Sequence, residues 1–423
     1  MSRPLPTQAM RIGFVGLGKL GLPIAMAVEA RGYEVVGCDP DPAVARTLQT
    51  RTMVHREEGA QPLLDETGIE LLSLDEVVRR SDLVFVTIQT PHDPRFEGVT
   101  PLPAERRDFD YTRLIAGMRD VAAAVERHGV PRVVVVVSTV LPGTLRRDIV
   151  PLLGPLSRLC YNPFFIAMGT AIADFLHPEF VLLGADDEAH TEPLRALYAS
   201  LVDAPVVATS IENAELIKVL YNTFVSTKIA FANTAMEICH RVPGADVDTV
   251  LSALKLGTKR VISDRYLSGG MGDGGACHPR DNIALSHLSR SLGLSFDWFE
   301  SVMLQRERQT AWLADLVQAH AHGRDVVVLG RSFKPESDIE TGSPARLLCH
   351  LLEQRGVHVT SWDPQIDPAA SRPAGRPFCY FVGTRHEAFR SFGYEPGSVV
   401  LDPFRYVPQQ PGVDVVPIGV GAS

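Results

Sequence analysis

From Arg11 onward, short apolar runs rich in β-branched residues alternate with longer amphipathic stretches. RIGFVGLG, YEVVGCD, DLVFVTIQTP, RVVVVVST and FVLLGAD are separated, for the most part, by helical patterns. Runs apolar on both faces with helices between them predict a parallel sheet covered on both sides. The pattern then changes. Between Ser210 and Val242 there is neither glycine nor proline, and Ile217, Leu220, Phe224, Phe231, Ala235 and Ile238 recur at helical spacing. At about 1.5 Å per residue this predicts one helix of roughly 50 Å. Such a helix, apolar over much of its circumference, needs partners on several sides, so it is expected to join two domains and to build a subunit interface. After a further helical region to about His322 the first pattern restarts with DVVVLG, SPARLLCHLLEQRG, HVTSWDP, PFCYFVG and SVVLDP. The expected fold class is α/β, with doubly wound parallel-sheet domains at residues 1–208 and 323–423 and a central helical domain at 209–322. The two α/β parts are similar in pattern only, with no short fixed-period repeat.

Composition narrows the classes. A chain of 423 residues suggests two to three domains at roughly 150 residues each. A net charge of -9 argues against a nucleic-acid-coating surface, and the pairs Arg79-Arg80, Arg106-Arg107 and Arg146-Arg147 are isolated. No stretch approaches the roughly 18 to 20 apolar residues of a membrane span, and MSRPLPTQAMRI has no apolar core of signal-peptide length. A soluble, cytoplasmic protein without membrane or nucleic-acid partners is expected. The six cysteines form no CxxC pair and the histidines are scattered, so neither a disulfide framework nor a metal site is expected.

Two motifs carry candidate chemistry. Gly16-Leu17-Gly18-Lys19-Leu20-Gly21 follows the strand RIGFV and opens the helix LPIAMAVEARG. Glycines there permit a tight turn and a close approach of a pyrophosphate to the helix N-terminus. Asp39 ends the next strand, where a carboxylate bonds an adenosine ribose and repels a 2'-phosphate, which favours NAD over NADP. This gives the first sheet a Rossmann-like character. The second motif is the glycine-dense run Gly269 to Gly275 ahead of Ala276-Cys277-His278-Pro279-Arg280-Asp281. Pro279 suits a first helical turn, which would set Cys277 at a helix N-terminus, where the dipole favours thiolate. Asp281 lies four residues on, on the same face. Lys218 and Asn222 are likewise four apart on the long helix. Spacing alone leaves Lys218 open between a functional cation and one that snorkels or pairs with Glu215.

Taken in order, GLGKLG, STVLPGT, NPFFIAMGTAIADFLHPE, AELIKVLYN, GGACHPRD and FKPESDIETGSPA resemble the UDP-glucose/GDP-mannose dehydrogenase family of nucleotide-sugar 6-dehydrogenases. The resemblance runs from about Arg11 to Val407 and implies two Rossmann-like domains around a dimer-forming helical centre. It implies oxidation of a sugar hydroxymethyl to a carboxylate, with two hydride transfers to NAD and a cysteine-bound thiohemiacetal and thioester between them. By motif match Cys277 is the nucleophile, Lys218 stabilises charge on oxygen, Asn222 and Asp281 hold water, and Thr139 touches the reacting region. Gly16, Gly18, Lys19, Leu20, Gly21, Asp39 and Thr90 fall to the cofactor, and Phe165, Ile166, Arg260, Gly274 and Lys334 to the nucleotide sugar. Arg260 is matched to an arginine that reaches the partner subunit's sugar site, so a homodimer is implied.

The resemblance breaks where the family reads NPEFLREG or NPEFLAEG. Phe164 and Met168 stand for both glutamates, and neither can accept a proton. Asp273 replaces an aromatic, Thr341 an arginine, and Arg280 a lysine. Three readings follow. The four-electron oxidation persists with Asp273 or His278 as substitute base; or the reaction stops at the aldehyde or uses another nucleotide-linked substrate; or the chain binds NAD and nucleotide sugar without turnover. UDP-glucose is the default substrate by family frequency alone.

Overall fold

The computed structural model describes residues 10–91, 93–101, 103–258, 266, 268–272, 275–291, 293 and 297–420. The chain divides into two compact units, Met1–Pro91 with Phe109–Leu220, and His92–Asp108 with Tyr221–Ser423.

The first unit is built on eight strands: β1 (Arg11–Val15), β2 (Glu34–Cys38), β3 (Glu70–Leu71), β4 (Leu83–Val86), β5 (Arg132–Val136), β6 (Ser157–Tyr161), β7 (Val181–Gly184) and β8 (Val206–Thr209). Their order is β3-β2-β1-β4-β5-β6-β7-β8. The β-branched runs form the central strands because β4 and β5 are buried at every residue and have apolar neighbours on both faces. Helix Gly21–Glu29 is equally apolar and buried along all but its last residue. The expectation of a wholly parallel sheet needs one correction: β6 and β7 pair antiparallel, Tyr161 opposite Gly184. Their connection carries only the six-residue helix Ala171–Leu176, too short to cross the sheet and return the next strand parallel. The order reverses between β1 and β4, which places a crevice at the carboxyl ends of these strands.

The second unit carries β9 (Val326–Leu329), β10 (Val359–Trp362), β11 (Cys379–Val382), β12 (Val399–Asp402) and β13 (Asp414–Pro417). They run parallel in the order β10-β9-β11-β12-β13. Helices Val247–Lys255, Cys277–Ser291 and Trp298–Ala321 precede this sheet, and Pro344–Gln354 lies between β9 and β10. The uninterrupted stretch after Ser210 is one helix of 31 residues, Ile211–Arg241, as its lack of glycine and proline predicts.

The two sheets share more than a pattern. Gly16 and Gly330 follow their first strands with φ of +99° and +90°, a region that favours glycine. Their N–H groups donate to Cys38 O at 2.9 Å and Trp362 O at 2.8 Å, the last residues of the neighbouring strands. An aspartate, Asp39 or Asp363, comes next in each case.

Candidate active site

The first-unit glycine loop is shaped by close backbone packing. A Cβ on Gly21 would lie 2.1 Å from Gly16 O, and one on Gly16 would lie 3.1 Å from the Thr87 carbonyl. A Cβ on Gly18 would meet nothing within 4 Å, so the space before the loop is open. Asp39 Oδ2 accepts from Leu17 N at 2.6 Å and Oδ1 from Asp41 N at 2.8 Å, which fixes the carboxylate at the loop. Thr90 Oγ1 donates to Thr139 O at 3.1 Å and Ser138 Oγ to Ile88 O at 2.5 Å, so these two polar segments after β4 and β5 are tied together. Lys19 is exposed and Leu20 leads into the helix. An open glycine loop at a helix N-terminus with a fixed carboxylate at the next strand end fits a dinucleotide.

Beyond β6, the chain Asn162 to Thr170 is pinned from several sides. The Phe164 ring is 8 % exposed and packs against Phe175 at 5.2 Å and Phe85 at 6.4 Å. An apolar side chain therefore fills the core where the family pattern has a carboxylate. Lys218 Nζ donates to Phe164 O at 2.9 Å and lies 5.0 Å from the centroid of the Phe165 ring. Ile166 packs on the same core. The nearby carboxylates serve the backbone: Glu57 accepts from Gly169 N and Ala171 N at 2.8 and 2.6 Å, and Asp174 from Ala167 N at 2.9 Å. Glu215 takes the N–H groups of Gly143 and Leu145 at 2.6 and 2.9 Å. Burial pushes its carboxyl up to about 7, against the pull of those two donors. The Phe164 carbonyl is thus one acceptor of Lys218.

In the second unit Cys277 opens the helix Cys277–Ser291, with its side chain exposed and Pro279 in the first turn. Asp281 is fully buried; Asn222 Nδ2 donates to its Oδ2, and Arg280 Nε to its Oδ1 at 3.1 Å. The resemblance to the family thus meets a direct bond between two of its four polar positions. The glycine loop ahead of Cys277 is held by Asn233, which accepts from Gly270 N at 3.0 Å and donates to Gly272 O at 2.9 Å. Gln309 adds a bond to Gly270 O at 3.1 Å. Neighbouring chain lies against this loop: a Cβ on Gly275 would fall 2.7 Å from the Phe333 ring, and one on Gly342 would fall 2.2 Å from Ala276 N. Arg260, Asp273 and Gly274 lie outside the described residues.

Lys334 stands in the loop after β9, its ammonium 5.6 Å from the Phe333 ring centroid. Its loop is braced by Asp363, which accepts from Arg331 N at 2.6 Å and Ser332 N at 2.9 Å. Burial alone would raise the Asp363 pKa, but a bond from His386 and the two N–H donors outweigh it and hold the carboxyl well below its usual range. His386 Nε2 lies 3.2 Å from Asp363 Oδ2, while Nδ1 accepts from Glu336 N at 3.1 Å. Sequence reading missed Asn233, Gln309, Asp363 and His386. A signal existed for Asp363, because Cys38-Asp39-Pro40 and Trp362-Asp363-Pro364 carry the same Asp-Pro after a β-strand.

Comparison with known proteins agrees with this geometry. Residues 10–202 match the NAD binding domain of the UDP-glucose/GDP-mannose dehydrogenase family, and residues 212–306 match its central domain. The chain is 30% identical over 386 residues to a UDP-glucose 6-dehydrogenase of Bacillus subtilis, covering 88% of this chain and 80% of that protein. It is 30% identical over 384 residues to a GDP-mannose 6-dehydrogenase of Pseudomonas putida, covering 87% and 84%. Among solved structures, a UDP-glucose dehydrogenase from the archaeon Pyrobaculum islandicum superposes with a TM-score of 0.84 at 26% identity, covering 99% of this chain and 100% of that one. The open glycine loop, the cysteine at its helix start and these matches together make the chain a member of the UDP-glucose/GDP-mannose dehydrogenase family, an NAD-binding nucleotide-sugar dehydrogenase.

Proposed function

We propose that the chain oxidises the C6 hydroxymethyl of a nucleotide sugar to a carboxylate, with Cys277 as covalent nucleophile. The observation that carries this is the Asn222–Asp281 bond one helical turn past Cys277, which assembles residues from two helices beside an exposed thiol at a helix start. NAD held by Gly16, Gly18, Gly21 and Asp39, with Lys19, Leu20 and Thr90 beside them, supplies the hydride acceptor. Between the two oxidations the Cys277 sulfur adds to the C6 aldehyde. Lys218, a cation fixed against Phe164 O, favours the negative charge that this addition places on oxygen. Asn222 and Asp281 orient the reacting hydroxyl and water, and Thr139 lies along the reacting region. Water then cleaves the thioester, giving the uronic acid and a free Cys277 thiolate.

The sugar is assigned to the backbone at Phe165 and Ile166, further contacts with the nucleotide sugar to Lys334 and Gly274, and a partner's sugar to Arg260. UDP-glucose is the proposed substrate, because the Bacillus relative is named for it. We read the chain as three functional parts, residues 1–208, 209–322 and 323–423, working as a cytoplasmic homodimer. Leu216, Leu220, Phe224 and Phe231 on the long helix are 36 to 54% exposed, a stripe suited to a second copy. No helix among the described residues is long and apolar enough to cross a membrane.

Incubation with NAD and either UDP-glucose or GDP-mannose, with mass analysis of the product, tests the reading. A uronic acid from one of them, absent with Cys277→Ala, is expected. A second reading, arrest at the aldehyde, is favoured by the burial of the Phe164 ring where a carboxylate would otherwise stand. Released aldehyde without acid would select it.

A further inference from the structure

Arg405 stands three residues past β12, and its side chain is 6% exposed. A guanidinium carries five N–H donors in a rigid plane, and here five oxygens receive them. Nε and Nη2 fork onto Asp248 in the helix Val247–Lys255, at 2.8 and 3.1 Å. Nη2 also donates to Gly269 O at 2.7 Å. Nη1 donates to Ile418 O at 3.0 Å and to Pro403 O, with Met236 Sδ 3.3 Å away. The φ of +56° at Arg405 is a left-handed conformation that a side chain strains, and these bonds offset the strain.

One of the five acceptors opens the loop that leads to Cys277. Gly269, Gly270, Gly272 and Gly275 have no side chains with which to hold it, and the last two take φ of +74° and +107°. The loop is therefore fixed from outside. Arg405 holds the Gly269 carbonyl, while Asn233 and Gln309 take the Gly270 N–H and carbonyl. The Phe404 ring lies so close that a Cβ on Gly270 would fall 2.8 Å from it. At the far end Phe333 and Gly342 close on Gly275 and Ala276. Among these anchors Arg405 alone is charged, and hydrogen bonds to a charged group are the stronger ones.

We infer that Arg405 is a positioning residue for the nucleophile: it sets the entry of the loop 269–276, and through it the place of Cys277 at its helix start. The inference rests on the reading of Cys277 as the nucleophile. No bond to substrate is asked of Arg405. A sulfur displaced by about 1 Å adds to the C6 aldehyde about 100-fold more slowly, so the loss falls on turnover and not on substrate affinity. Lysine cannot take the place of Arg405, because an ammonium has three donors and no planar fork.

The test compares the wild type with Arg405→Ala, Arg405→Lys and Asp248→Asn. It reads hydrogen exchange of the peptide spanning 268–277, and NADH formation with whichever of UDP-glucose and GDP-mannose the wild type oxidises. Arg405→Ala should raise exchange in that peptide by about tenfold. It should lower kcat by about 100-fold with an unchanged KM for the nucleotide sugar. Millimolar guanidinium ion should restore both in part, and Arg405→Lys should behave as the alanine variant does. Asp248→Asn keeps the arginine but weakens the fork that aims it, and should shift both readings by about threefold. That variant decides the matter if Arg405→Ala does not fold. Loop exchange at the wild-type rate, a wild-type kcat while exchange rises, or a loss carried by KM alone would overturn the inference. Acid formation that persists in Cys277→Ala defeats the nucleophile reading instead, and the exchange result then still decides whether Arg405 anchors the loop.

Discussion

Asp363 holds in the C-terminal sheet the place that Asp39 holds in the N-terminal one. Each follows the second strand of its sheet, and each accepts backbone N–H groups from the loop after the first strand: Leu17 for Asp39, Arg331 and Ser332 for Asp363. Each also accepts from the residue two positions on, Asp41 or Gln365, at 2.8 and 2.9 Å. The shared device fixes a glycine-led loop at the carboxyl edge of a parallel sheet. Removing the carboxylate would release one loop donor at Asp39 and two at Asp363.

Asp39→Ala is accordingly expected to weaken NADH binding by about tenfold or more, since hydrogen bonds to a charged group contribute about 1.5–3 kcal/mol. The same change should narrow the preference for NADH over NADPH, because the charge that opposes a 2'-phosphate is gone. Fluorescence titration with both cofactors checks this. Unchanged discrimination would remove Asp39 from the ribose site.

Gly342→Ala should disturb the cysteine loop severely. Its Cβ would sit 2.2 Å from Ala276 N at a φ of +74°, so backbone must move. Gly356→Ala provides the control: φ is also +74°, but no atom lies within 4 Å of the added carbon. That control should lose only the strain of a left-handed alanine, about 1 kcal/mol. The Gly342 variant should add to this a fall in turnover of about 100-fold at saturating substrate, on the scale of a misplacement of about 1 Å. Thermal melts and turnover of the two variants make the comparison.

Glu215 predicts a pH dependence of stability. Its folded carboxyl sits at about 7 against an ordinary 4.5, so the folded chain binds more protons across that window. The group's favourable contribution is full below about pH 4.5, is lost as pH rises through 7, and totals about 3 kcal/mol. The difference in melting free energy between wild type and Glu215→Gln should therefore move against the wild type from pH 5 to 8. A flat difference would show that the carboxyl titrates near its ordinary value.

Phe231→Glu should separate the subunits. The ring is 54% exposed on the stripe with Leu220 and Phe224, and a buried unpaired charge opposes association strongly. Sedimentation velocity of wild type and variant decides the matter. A wild type that sediments as a monomer at assay concentration would contradict the dimer.

Much of this architecture was legible in the sequence. The β-branched runs marked β1, β2, β4, β5 and β7 because strands buried on both faces are apolar at every position. Strands β6 and β8 were not legible. SRLCY opens with polar residues, and VVAT lies largely at the surface. The glycine loop and the cysteine helix were readable since their glycine density and proline placement are local signals. Asn233 and Gln309 were not. Each acts by reaching a loop far along the chain, and nothing in the spacing around an isolated Asn or Gln announces its partner. The second carboxylate site at Asp363 was half visible, through its Asp-Pro pair.

One chain is expected to remove four electrons from one nucleotide sugar through Cys277. The most direct measurement is NADH formed per UDP-glucose or GDP-mannose consumed, with NAD in excess and the product identified by mass. Two NADH and a uronic acid are expected. One NADH with an aldehyde trapped by a hydrazine would contradict it.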